Sequence, residues 1–153
     1  MLETHQGLLL RPARYADAAA LARTRSVSLR EQGMLDDAGF AEFERAAAGE
    51  LRERLARDEI GAWLALDHGS VVGAACVVFW RRLPYPGTAL HGELAGVYVD
   101  PQFRRRGLAR ELCREAIALA RARGVRRLSV HSTPAARALY VELGFTPSGQ
   151  LRL

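Results

Sequence analysis

Apolar and polar positions recur along this chain with two periods, and each change of period marks a change from strand to helix or back. The apolar run Leu8-Leu9-Leu10, stopped by Arg11-Pro12, predicts a first short strand. From Asp17 to about Leu29, alanine and leucine return on one face, with Leu21, Val27 and Leu29 among them. That spacing predicts a helix ended by Gly33. Asp36-Asp37 can cap a second helix running to about Arg57. Two β-rich runs, Ile60 to Leu66 and Val71 to Trp80, flank Asp67-His68-Gly69-Ser70, which has the residues of a hairpin turn. Prolines and a glycine then make Arg81 to Gly87 a loop.

The second half continues the alternation. Glu93 to Val99 reads as a strand and Gly107 to Arg123 as a long helix ended by Gly124. Leu108, Leu112, Ala116, Leu119 and Ala120 give that helix an apolar stripe at spacings of three and four. Arg127 to His131 is a further strand. Thr133-Pro134 opens a last helix, with proline suited to its first turn, that stops before Gly144. Phe145 to Leu153 reads as a closing strand. These elements predict an α/β protein with a mixed antiparallel and parallel sheet, folded as one domain over residues 1–153.

The junction Val97-Tyr98-Val99-Asp100-Pro101-Gln102-Phe103-Arg104-Arg105-Arg106-Gly107-Leu108-Ala109-Arg110 carries the chemistry. A helix start leaves backbone N–H groups without partners and bears the positive end of the helix dipole. Packing three arginines against it is repulsive unless an anion sits there. Strand, basic turn and helix N-terminus together describe a pyrophosphate cradle.

Composition narrows the alternatives. The net charge is +5, and all basic residues are arginine, with no lysine or asparagine anywhere. A lysine-free chain cannot carry a Walker A loop, and no Gly-x-Gly-x-x-Gly fingerprint marks a dinucleotide fold. The sequence shows neither a secretory leader nor an apolar run near the roughly 18 residues of a membrane span, so a cytoplasmic protein that does not enter the membrane is expected. Cys76 and Cys113 are far apart and outside any Cys-x-x-Cys, which predicts small buried thiols and neither a disulfide nor a metal site.

Arg104-Arg105-Arg106-Gly107-Leu108-Ala109 fits the pattern Gln/Arg-x-x-Gly-x-Gly/Ala, and Ala136-Arg137-Ala138-Leu139-Tyr140 with Gly144-Phe145 fits a second block. With Leu10-Arg11-Pro12 and Asp17 at the start, the chain resembles the GCN5-related N-acetyltransferase superfamily over nearly its whole length. The resemblance implies a sheet of six or seven strands, splayed in the middle, with about four helices. It also implies acetyl-CoA as co-substrate, no metal, and direct transfer of the acetyl group to a primary amine, on a small molecule or a protein. Homodimers are common in the family, and the chain itself leaves oligomeric state open.

The resemblance assigns roles to particular residues. Backbone N–H groups from Arg105 through Gly107, Leu108 and Ala109 to Arg110, with the side chains of Arg104, Arg105, Arg106 and Arg110, hold the pyrophosphate. Backbone groups of Val97 and Val99, with the amide of Tyr98, pair with the pantetheine arm. Tyr140 lies beside the cofactor sulfur and is the general acid for the leaving thiolate. Glu93, eleven residues before Arg104, is the candidate base for the acceptor ammonium, with a water chain as the alternative. Thr133 stands where many members carry a cofactor-contacting asparagine, and it can instead cap the helix. The loop from Trp80 to Leu90, with Met34 and Leu35, is expected to wall the acceptor pocket, and His91, His131 and Tyr85 are secondary candidates.

Two other classes compete. One is a non-catalytic acyl-CoA-binding module with a regulatory role. The other is a nucleic-acid-binding protein, suggested by the arginine content. Against the latter, glutamates interleave with the arginines (Glu42, Glu44, Arg45; Arg52, Glu53, Arg54), and aromatic residues are only 7%, too few for a stacking platform.

Overall fold

Burial of apolar side chains on both faces of one sheet organises the chain. The computed structural model describes residues 7–149 and the backbone of Leu2–Glu3. In order across the sheet, the strands are β1 (Leu2–Glu3), β2 (Leu9–Pro12), β3 (Ile60–Asp67), β4 (Ser70–Arg81), β5 (Leu90–Val99) and β6 (Arg127–Val130). Neighbours are antiparallel as far as β5, and β6 joins β5 in parallel. A parallel neighbour requires a crossover, which α3 (Leu108–Ala122) supplies.

Period-two alternation sends each strand's side chains to two separate cores. Ala75, Val77 and Phe79 of β4, with Leu94 of β5, meet Leu108, Leu112, Cys113, Ala116 and Ala120 of α3. Tyr140 of α4 (Arg137–Glu142) belongs to the same cluster. On the opposite face Ala62, Leu64 and Ala74 meet Leu21 of α1 (Ala18–Glu31) and Leu51 and Leu55 of α2 (Asp37–Ala56). Asp36 caps α2, its Oδ1 accepting the Gly39 N–H at 2.8 Å.

Three expectations need correction. Leu21 is buried, but Val27 and Leu29 are only half-buried, and the inner face of α1 includes Thr24, Ser26 and Ser28 instead. Small hydroxyl residues fit there because Thr24 donates to the Leu21 carbonyl (2.9 Å) and Ser26 to that of Ala22 (2.8 Å), which satisfies their polarity inside the helix. The closing strand is absent over its described part. Phe145 docks on the core, but residues 145–149 pair with no strand, and Pro147 lacks an N–H for a ladder. Residues 150–153 of that expected strand lie outside the described residues. Finally, Thr133-Pro134 opens a single 3-10 turn (Pro134–Ala136) before the short α4, and the Thr133 side chain makes no cap hydrogen bond.

The entrance to α1 is fixed by a bidentate ion pair. Arg11 donates to both carboxylate oxygens of Asp17 at 2.7 and 2.8 Å, and Asp17 also accepts the Arg14 N–H at 2.7 Å. Both side chains are largely shielded from water, at 18% and 14% exposure. The Arg11 hydrogen bond, opposed by burial, holds the Asp17 carboxyl below its ordinary range. A depressed carboxyl stabilises the fold above the unfolded value of roughly 3.9, and that contribution is lost as pH falls through the folded value. Asp17→Asn is expected to cost about 1.5–3 kcal/mol at pH 7, the range for hydrogen bonds to charged groups. Urea midpoints checked from pH 7 down to pH 2 should show the gap between variant and wild type closing only in the acid range.

Candidate functional site

The site begins where β5 leaves β6. The two strands pair only from His91 opposite Arg127 to Leu94 opposite Val130, while β5 stays paired with β4 to Val99. The departure coincides with a bulge: Ala95 faces Cys76 and Tyr98 faces Ala74, so Gly96 and Val97 together face the single residue Ala75. Gly96 has φ +59°, a left-handed conformation that favours glycine, and a bulge of this kind bends its strand. Beyond it, β5 has no strand partner on the side of the gap left by β6, where the Val99 carbonyl accepts from Arg104 instead. The Asp100 N–H donates to Val72 of β4 at 2.8 Å, so strand alternation turns the backbone groups of Val97 and Val99 toward the gap. The same alternation turns the Tyr98 amide toward β4 and away from the gap, against its expected pairing with the pantetheine arm.

The basic turn follows at once. A 3-10 turn (Pro101–Phe103) leads into Arg104, Arg105 has φ +63°, Gly107 has φ +83°, and α3 starts at Leu108. The first bond of the new helix is Glu111 N–H to Gly107 O at 3.1 Å. The N–H groups of Arg105, Gly107, Leu108, Ala109 and Arg110 have no partner among the described residues. A left-handed residue on either side of the turn curls such amides into a concave nest suited to an anion. Space for a Cβ at Gly107 is open, so its φ is what demands glycine there.

Nest and open strand edge share one cleft of about 700 Å³. Of the residues expected to hold the cofactor, Val97, Tyr98, Val99, Arg104, Arg105, Gly107, Leu108, Ala109, Arg110, Thr133 and Tyr140 line it, and Arg106 does not. Two arginines there already have carboxylate partners. Arg104 donates through Nε to the Val99 carbonyl (2.8 Å) and through a terminal nitrogen to Glu31 (2.7 Å), and it lies 5.8 Å from the Tyr98 ring centroid. Arg110 pairs with Glu142 of α4 across the cleft.

Tyr140 is 7% exposed, and burial, with the neighbouring Cys113, pushes its phenol up to about 12. Its hydroxyl has no hydrogen-bond partner among the described residues. The ring is held edge-on by Phe145 at 5.9 Å, which α4's ending brings back by donating the Phe145 N–H to the Tyr140 carbonyl. Tyr140 also lines a second cleft of about 350 Å³, together with His131 and Arg137. Next to that cleft, Glu93 of β5 lies 2.7 Å from Nδ1 of His131. The only signal that joins them is strand register, which sets Glu93 opposite Ser129, with His131 two residues on along the same face.

The other secondary candidates do not join the clefts. Desolvation, then Arg82 and Arg127, push the His91 imidazole toward its neutral form. Tyr85 accepts from Arg127 at 3.2 Å, while Leu83 and Met34 are exposed and Leu35 is half-buried. Burial pushes the Cys76 thiol up to about 11 and the Cys113 thiol to about 12, so both are protonated near neutral pH and poor nucleophiles. Among the described residues, no group of His, Cys, Asp and Glu could hold a metal, and no helix is long and apolar enough to cross a membrane.

Comparison with known proteins converges on this geometry. The sequence model of the acetyltransferase (GNAT) family matches residues 29–145. A mycothiol acetyltransferase from Beutenbergia cavernae is 40% identical over 88 residues, which is 56% of this chain but only 28% of that protein's length. A GCN5-related N-acetyltransferase from Ralstonia eutropha JMP134 superposes with a TM-score of 0.83 at 25% identity, covering 96% of this chain and 97% of its own. A protein from Clostridium acetobutylicum, described as a predicted acetyltransferase and solved with acetyl-CoA, has the same fold (TM-score 0.85, 19% identity, 95% of each chain). With the family pattern matched over most of its length and the splayed strand and amide nest in place, the chain belongs to the acetyltransferase (GNAT) family.

Proposed function

We propose that the protein is an acetyl-CoA-dependent N-acetyltransferase that passes the acetyl group straight to a primary amine in a ternary complex, with residues 1–153 acting as one catalytic domain. The row of unpaired amides opening α3, beside the free backbone edge of β5, carries this reading. A diphosphate supplies acceptors for donors that otherwise face water, and the helix dipole favours its charge. The pantetheine arm, which has amide groups of its own, pairs with the backbone that β6 leaves without a strand partner at Val97 and at the Val99 N–H, the Val99 carbonyl being held by Arg104. A β5 N–H beside the thioester can then stabilise the oxyanion formed on attack.

The chemistry divides between two ends of the site. An alkyl ammonium, with a pKa near ~10.4, must lose a proton before it can attack, and this depends on Glu93. Tyr140 stays protonated at working pH because burial raises it, so it can donate to the departing thiolate. Two protonated thiols, Cys113 buried and Cys76 only half-buried where both were expected inside, favour direct attack over an acetyl-cysteine intermediate. A purely regulatory acyl-CoA-binding module would have no need of a protonated phenol at the reacting end. Free cysteines fit the reducing cytoplasm. Many arginines of α2 and its surroundings are committed to carboxylates (Arg54 with Glu50 and Glu59, Arg57 with Glu53, Arg123 with Asp58), which favours an amine acceptor over a nucleic-acid partner.

Calorimetry with acetyl-CoA, followed by thiol release across a panel of amines, tests the reading; absence of both heat and turnover refutes it. Gly107→Val should raise the acetyl-CoA Kd at least about tenfold, because a β-branched residue is strained at positive φ and the nest is lost. Tyr140→Phe should lower kcat about 10²-fold, at the lower end for a lost proton donor, and leave the acetyl-CoA Kd nearly unchanged. Steady-state kinetics paired with calorimetry separates the two effects.

A further inference from the structure

We infer that His131 is the group that takes the proton from the acceptor ammonium, while Glu93 is a positioning residue that holds the imidazole in the tautomer able to do so. The inference rests on the acetyl-transfer reading above. His131 lies one residue past the last β5–β6 pair, on the Glu93 face of the sheet, where the splay begins. A carboxylate can only accept, so at 2.7 Å the Nδ1 of His131 must be the donor. In the neutral ring the lone pair is then on the remaining nitrogen, Nε2. Exposure orders the two groups: the His131 side chain is 47% exposed and that of Glu93 is 30%. His131 also lines the 350 Å³ cleft and Glu93 does not, so an amine seated in that cleft faces the ring.

A second observation places the ring in the right neighbourhood. His131 and Tyr140 line the same 350 Å³ cleft, and Tyr140 also lines the larger cleft that takes the cofactor. The group that removes a proton from nitrogen and the group that returns one to sulfur thus flank the junction of the two clefts.

Other charged and titratable groups around the pair are accounted for. On β5 is His91, pushed toward neutrality, and on β6 is Arg127, turned to Tyr85. Arg82, after β4, approaches His91 at 3.4 Å, and β4 places only Val78 opposite Glu93. From α4 come Arg137 and Tyr140. From α1 come Arg25, whose charge acts on Cys76, and Glu31, which is held by Arg104. Among the described residues, Glu93 is the only carboxylate bonded to His131.

The step balances without any further reagent. An ammonium N–H bond breaks, and its proton goes to Nε2, giving an imidazolium paired with the Glu93 carboxylate. The freed nitrogen lone pair attacks the thioester carbonyl carbon. A C–N bond forms and the C–S bond breaks as the Tyr140 hydroxyl protonates sulfur. The phenolate recovers a proton from the amide nitrogen, and His131 releases its own to solvent.

The test compares the best alkyl amine of the panel, which arrives protonated, with hydroxylamine, which is largely unprotonated at neutral pH. His131→Gln is expected to lower kcat/KM on the order of 10²-fold for the alkyl amine and less than about threefold for hydroxylamine, with acetyl-CoA binding unchanged. Nitrogen-15 spectra at pH 8 should show the wild-type His131 ring with its proton on Nδ1, moving to Nε2 in Glu93→Ala, which leaves no acceptor opposite Nδ1. Equal losses for both amines would reduce the pair to a strand clasp and overturn the inference. So would an unaffected alkyl amine, or a ring with the same tautomer in both proteins. Failure of the acetyl-transfer reading shows separately, as a wild-type protein that gives no heat with acetyl-CoA.

Discussion

Everything at this site depends on a single break in hydrogen bonding. A sheet strand normally spends its backbone groups on both neighbours. Here the bulge at Gly96 and Val97 bends β5 while β4 follows it, and β6 does not. The sheet thereby keeps an internal edge, a feature that exposed edges usually need protection against. In this fold the edge is short, flanked by α3 and α4, and turned to a cleft that accepts one extended ligand. The same bend delivers the chain into the Arg104–Gly107 turn, so strand edge and amide nest come from one run of residues.

Much of this was legible in the sequence because it is local. Turn chemistry at Asp67–Ser70, the stripe on α3 and the glycine in the basic turn each depend on neighbours a few residues apart, and each lies where its pattern indicated. Of the residues expected to hold the cofactor, those from Val97 to Arg110 belong to one stretch and Thr133 and Tyr140 to a second block, and all but Arg106 line the cleft. The closing strand misled because Phe145 is apolar while Pro147 and Gly149 carry turn chemistry, and the latter prevails. On α1, the alanine–leucine pattern leaves out Thr24 and Ser26, whose bonds to the preceding turn let them pack inward.

What the sequence hid is relational. Glu93 meets His131 only because β5 and β6 align in one register, and a slip of one residue would send their side chains to opposite faces. Arg104 and Glu31, separated by 73 positions, meet because α1 crosses the sheet beside the turn. Loop residues such as Leu83 and Met34, apolar and near the expected acceptor walls, remain in solvent. No periodicity distinguishes an exposed apolar residue in a loop from one that lines a cleft.

The carboxylate partners of Arg104 and Arg110 alter how the cleft responds to a polyanion. Each guanidinium starts out paired, so under the proposed function a phosphate would trade places there with Glu31 or Glu142, while Arg105 lines the cleft without such a carboxylate among the described residues. Coulomb attraction gained in that exchange is nearly matched by the attraction surrendered. What those two arginines add is thus small beside the uncharged amides and Arg105, and ionic strength screens the amides weakly. For its number of arginines, this cleft should hold its ligand with little regard to the salt around it.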